Sequence, residues 1–188
     1  MDQLARLAIQ TVVEQGSRSV GLISPVYPET TDADGSPHPN AHFYMAFLCA
    51  AKEAGIEVRN EWIKAPTSSD VGNRNQEEWG YEAMREFWHQ PRHPESLVVF
   101  PDTSARGVIL ALLEMGVRVP QDLKLVLHKN AEIALLCPLP ADIITLSLTD
   151  VARALIEQIE TQFSGGECTP KLIGFQREKK PAGINKPI

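Results

Sequence analysis

The feature that most constrains this chain is its alternation between short apolar runs and longer segments of helical spacing. The runs SVGLIS (19–24), LVVF (97–100), LKLVLH (123–128) and DIITLS (142–147) have strand length. Between and around them lie segments at 3–15, 41–54, 76–90, 103–115 and 149–163, whose apolar residues recur every three or four positions. EVRNEWI (57–63) alternates in the manner of a strand, and KLIGFQ (171–176) supplies a last strand candidate. Glycine follows four of the helical stretches, at Gly16, Gly55, Gly116 and Gly165, where a left-handed residue ends a helix most easily. Strands alternating with helices of this length predict βαβ units and an α/β domain. Its parallel open sheet carries helices on both faces, because most of the strands are apolar on both sides.

Composition limits what such a domain can do. Of 188 residues 43% are hydrophobic, enough for a core, and the net charge of −6 lacks the basic footprint of a surface that neutralises phosphates. The three cysteines, Cys49, Cys137 and Cys168, form no CxxC pair, so neither a disulfide scaffold nor a zinc ribbon is expected. No apolar run is long enough to span a bilayer and no signal segment opens the chain. A cytoplasmic location without membrane association is the expectation. Residues 25–40 (PVYPETTDADGSPHPN) leave a strand end without periodicity, and a loop of that length in a compact domain is usually functional or mobile.

In open parallel sheets ligands sit at the carboxyl ends of the strands. Asp102 follows LVVF at such an end. Its carboxylate can accept hydrogen bonds from a ligand, or it can cap the helix that begins beside it.

The string VVFPDTSARGVILALLEMGVRVPQDLKLV (98–126), with GSRSVGLISP, FYMAFLCAAKEAGIEV, EEWGYEAMREFW and ITLSLTDVARALIEQI in the same order, resembles the effector-binding domain of LacI/GalR-type transcriptional regulators. The most specific part is Asp102, Ala105 and Gly107 followed by Gly116, Arg118, Val119, Pro120 and Asp122. The resemblance covers roughly residues 3–176. It implies a periplasmic-binding-protein-like fold of flavodoxin-like subdomains around a cleft that usually takes a sugar. It further implies that residues 1–176 are part of such a domain: its C-terminal subdomain with a crossover helix at 149–163, leaving 177–188 as a disordered tail. No cofactor is implied, and the partners are a small-molecule effector and a second copy of the chain. DNA would be reached only through a helix-turn-helix domain, which these residues do not contain.

Carried over residue by residue, the resemblance makes Asp102 the acceptor of two sugar hydroxyls. Phe43 stands where the family has an effector-binding Arg, and Ala46 replaces the helix Gly that follows it. Losing the guanidinium removes a strong clamp, although an aromatic ring could stack on a sugar face. Phe43 also fits a place in the core. A family carboxylate after the next strand has become Lys129 or Asn130. Asn130 keeps both donor and acceptor capacity, and fits a turn equally well. Asn75, ahead of the third helix, is a weaker candidate that also reads as a loop residue. Enzymatic chemistry finds little support: no G-x-S-x-G, phosphate loop or H-E-x-x-H occurs. The alternative, a small α/β hydrolase or isomerase, would use Asp102 with His128. His89 and His93 are separated by Pro91 and read as loop residues.

Overall fold

The computed structural model describes residues 2–25, 39–66, 75–167, 169, 171 and 173–180. Most of the 25–40 loop (26–38) and the last eight residues (181–188) lie outside the described residues.

Five helices and six strands follow one another: α1 (Asp2–Glu14), β1 (Val20–Ile23), α2 (Pro39–Glu53), β2 (Ile63–Lys64), α3 (Gln76–Trp88), β3 (Ser96–Val99), α4 (Asp102–Glu114), β4 (Lys124–Asn130), β5 (Ala141–Leu146), α5 (Leu148–Phe163) and β6 (Gln176–Lys180). They build one sheet in the order β2-β1-β3-β4-β5-β6. The first five strands run parallel, with Leu22 opposite Val98 and Leu97 opposite Leu125 in its middle. Every residue of β1 and β3 is buried, as layers of helix above and below require.

Each face of the sheet has its own core. On one side α1 and α2 bring Leu4, Ile9, Val12, Phe43 and Phe47 against Leu22, Val98 and Val126. On the other, α3 and α4 bring Met84, Phe87, Val108 and Leu112 against Leu97, Leu125 and Leu127. Strand alternation makes this division: odd residues of β4 face α3 and α4, and even ones face α1 and α2. Helices α3 and α4 nearly touch backbones. A methyl group added at Gly107 would stand 1.8 Å from the Glu77 carbonyl oxygen, and one at Gly80 would stand 2.4 Å from that of Ser104. Gly107, prominent in the sequence motif, is therefore needed for contact between helices. Helix α4 ends at Gly116 (φ +66°), where the amides of Gly116 and Val117 bond back to Leu113 and Leu112, the glycine-terminated ending.

Three expectations need correction. EVRNEWI is not a strand throughout: Glu57 makes a single bridge, Asn60–Trp62 form a 3₁₀ turn, and only Ile63–Lys64 pair. The turn carries the Trp62 indole inward, where its Nε1 donates to the Arg92 carbonyl at 3.1 Å. The strand expected at 171–176 begins instead at Gln176 and runs antiparallel to β5, so the sheet is not wholly parallel. Residues 177–180, expected to be disordered, belong to that strand. Its polar sequence suits an edge, and it is tied down by Arg177. Nε of Arg177 donates to the buried Asp142 carboxylate at 2.9 Å, while its Nη1 bonds to Glu14.

Helix α5 differs from the others. It has the amphipathic stripe expected of a covered helix, yet none of its residues is buried. Its N-terminus is held from outside: the Glu132 carboxylate accepts from the amides of Leu148 and Thr149, both at 3.0 Å, and from Ser147 Oγ.

Candidate functional site

The strands β3 and β4 lie side by side in parallel, so their carboxyl ends bring residues 100–102 next to residues 128–130. Asp102 is the first residue of α4, and 5% of it is exposed. The choice between cap and ligand acceptor is resolved in part by its partners. Pro101 occupies the cap position and no side-chain cap is made. Asp102 Oδ2 instead accepts from the backbone amide of Asn130 at 3.2 Å and, more weakly, from its Nδ2 at 3.4 Å. Oδ1 accepts no hydrogen bond among the described residues. Asn130 thus belongs to the same cluster as Asp102 and sets the orientation of its carboxylate.

Behind this pair stands an aromatic row. The Phe43 and Phe100 ring centroids are 4.8 Å apart, Phe100 and His128 also 4.8 Å, and His128 and Phe175 6.1 Å. Phe43 is 1% exposed and also packs on Phe47. The structure therefore places it in the core, with no free ring face to stack on a sugar. His128 is buried as well. Burial pushes its imidazole down to about 4, partly offset by the nearby Asp102 charge, so the ring is neutral at neutral pH. No hydrogen bond joins Asp102 to His128 among the described residues.

Asn75 is not brought into this cluster. Its side-chain oxygen caps α3, accepting from the Glu77 amide at 2.7 Å. The first turn of α3 still lies against that of α4, since Thr103 Oγ1 bonds to Gln76 Oε1. At the opposite, amino edge a hollow of about 240 Å³ is lined by Gln15, Lys124, Asp142 and apolar neighbours. Its polar groups are already engaged. Lys124 Nζ donates to the Gln15 carbonyl at 2.7 Å, and Asp142 accepts from Gln15 Nε2 at 2.7 Å and from Arg177. The carboxyl edge, where one carboxylate oxygen accepts no hydrogen bond among the described residues, is the better candidate.

Two residues of this region were missed or undervalued in the sequence. Phe100 and His128 hold the row together, and the alternation along β4 that puts His128 on the same face as Asn130 would have found the second. Glu132, which holds α5, follows no pattern in the sequence that would single it out.

An open, mostly parallel sheet places its ligand crevice at the carboxyl edge, where Asp102 stands. The profile of the periplasmic binding protein-like domain matches residues 9–173. The chain belongs to that family, and its relatives there are LacI-type regulators, as the motif around Asp102 implied. It is 35% identical over 124 residues to the HTH-type transcriptional repressor PurR of Pectobacterium atrosepticum, a match covering 66% of this chain and 32% of the repressor. It is 28% identical over 178 residues to the PurR repressor of Glaesserella parasuis, covering 92% of this chain and 48% of that one. Among solved structures, the Escherichia coli transcriptional repressor ascG superposes with a TM-score of 0.72 at 19% identity, over 97% of this chain and 62% of that one. A LacI family regulator from Lactobacillus casei with bound sucrose gives 0.73 at 16% identity, over 97% and 63%. The chain spans from about a third to about a half of the curated repressors it matches, and less than two thirds of the solved structures.

Proposed function

We propose that this chain is part of the effector-binding and dimerisation module of a LacI/GalR-type transcriptional regulator, acting in the cytoplasm. In this reading a sugar or sugar-like effector contacts Asp102, and Asn130 orients the carboxylate for it. The observation that carries the reading is the Asp102 carboxylate itself. It stands at the carboxyl edge with one oxygen held by Asn130 and the other without a hydrogen bond among the described residues, an arrangement suited to a hydroxyl-bearing ligand. DNA contact would belong to a helix-turn-helix domain outside these residues.

The 188 residues offer one wall of such a cleft, whereas ligand pockets normally enclose most of their ligand. Calorimetric titration of the chain with a sugar panel is therefore expected to show binding that is millimolar or undetectable. Micromolar binding that survives Asp102→Ala would place the site elsewhere.

Dimerisation in this reading uses α5. Burying each of its large apolar side chains stabilises by about 1.5–3 kcal/mol, a large share of the roughly 5–15 kcal/mol that holds a domain together. The chain's own sheet does not cover them. For the chain in isolation that leaves a second copy, most simply in a two-fold pair. Light scattering at tens of micromolar that returned a monomer, with rapid amide exchange across 148–163, would count against it.

A further inference from the structure

The site described above leaves one polar group unused. The His128 ring is 7% exposed, and its Nδ1 is buried with no hydrogen-bond partner among the described residues. Buried polar atoms are paired in the large majority of cases, so an orphan needs a reason. Packing does not supply one. A phenylalanine would fill the space between Phe100 and Phe175 without burying an unmet nitrogen. The position of the ring does supply one. His128 shares its face of β4 with Asn130 two residues on, and Asn130 holds Asp102. Among the described residues, a carboxylate oxygen with no partner and an imidazole with an unmet nitrogen therefore stand at the ends of adjacent strands.

We infer that His128 is a specificity-determining residue of this site: its neutral imidazole makes a hydrogen bond to an uncharged, hydroxyl-bearing ligand held by Asp102, and disfavours the phosphorylated or carboxylated form of that ligand. The inference rests on the effector-site reading. A neutral imidazole presents one donor and one acceptor, which suits a hydroxyl group. Among the described residues an anion would meet the Asp102 carboxylate with no imidazolium to offset it, because burial among aromatic rings works against protonating His128. Lys129 does not fill that role, since alternation turns its side chain to the opposite face of the sheet.

Nitrogen-15 NMR of the full 188-residue chain tests this, with D-glucose, D-ribose and sucrose as neutral probes and glucose and ribose phosphates as their anionic counterparts. The expected result is that a neutral sugar shifts the His128 ring nitrogens together with the Asp102 and Asn130 amides, and that the phosphates bind more weakly. His128→Phe should keep or raise the thermal midpoint yet weaken binding about tenfold, with His128→Gln restoring most of it. If the Asp102 and Asn130 amides shift while the ring does not, the inference is wrong and the effector site stands. Undiminished binding by His128→Phe, or phosphates binding as well as neutral sugars, has the same meaning. If no probe moves the Asp102 or Asn130 amides, the effector-site reading and this inference fall together.

Discussion

Helices α4 and α5 carry the same kind of apolar stripe and meet opposite fates. In α4, Ala105, Val108, Ile109 and Leu112 are all buried between α3 and the sheet. In α5, Leu155 is 55% and Phe163 89% exposed, and Ile156 and Ile159 are exposed too. The difference lies in what precedes and follows each helix. α4 leaves β3 and returns to β4, the adjacent parallel strand, a crossover that lays the helix on the sheet. α5 leaves β5 and leads to an antiparallel strand at the sheet's edge, a connection that need not cross a face. An amphipathic stripe shows that a helix is to be covered. It does not show by what.

The comparison can be broken most forcefully at the α3–α4 contact. Gly107→Ala is expected to cost more than ~3 kcal/mol, since the added methyl would meet backbone that cannot swing aside. A shift of the urea midpoint measures it, and a neutral outcome would mean that the two helices are not seated as described.

Acid separates the two regions next. The sheet that α4 covers also buries His128, whose ring takes up a proton less readily in the folded protein than in the unfolded chain. Its contribution is complete above its ordinary value of 6.5 and is lost as the pH falls toward about 4. The loss should be on the order of 3 kcal/mol. Urea titrations from neutral pH downward should show this loss in the native chain and a flatter profile in His128→Phe.

The α5 stripe should respond the other way. In the monomer, at dilutions below the association range, replacing Leu155 and Ile159 together by serine is expected to change the stability of the domain by less than ~0.5 kcal/mol, because both are already exposed. The same double substitution should move the mass seen in light scattering toward the monomer. A large loss of stability would mean that α5 packs on its own domain after all.

The smallest effect is expected at Glu132. Hydrogen bonds from the amides of Thr149 and Leu148 hold its carboxyl down at about 2. Glu132→Gln should leave the sheet unaffected and speed amide exchange only at Leu148 and Thr149. In the native chain the same fraying should appear only as the pH falls from the ordinary carboxylate range through about 2.

Legible from the residues alone were the alternation of strands and helices, the two-sided sheet and the place of Asp102 at a strand end. All of these follow from local periodicity and from the rule that parallel strands end at one edge. Helix boundaries came within a residue or two, because glycine and capping residues act locally. The rest depends on residues far apart in the chain. Asp102 bonds to Asn130 across 28 positions, which turned a choice between cap and ligand acceptor into a geometry. Phe43 was equally suited to a cleft or to a core until Phe47 and Phe100 closed on it. The polar run at 177–180 became a strand because Arg177 could reach the buried Asp142, 35 residues away. Neither pairing leaves a trace in spacing or composition, because a hydrogen bond between distant residues constrains neither one's neighbours in sequence. The coverage of α5 is of the same kind: its stripe is written in the sequence, and whatever covers it lies beyond its own sheet.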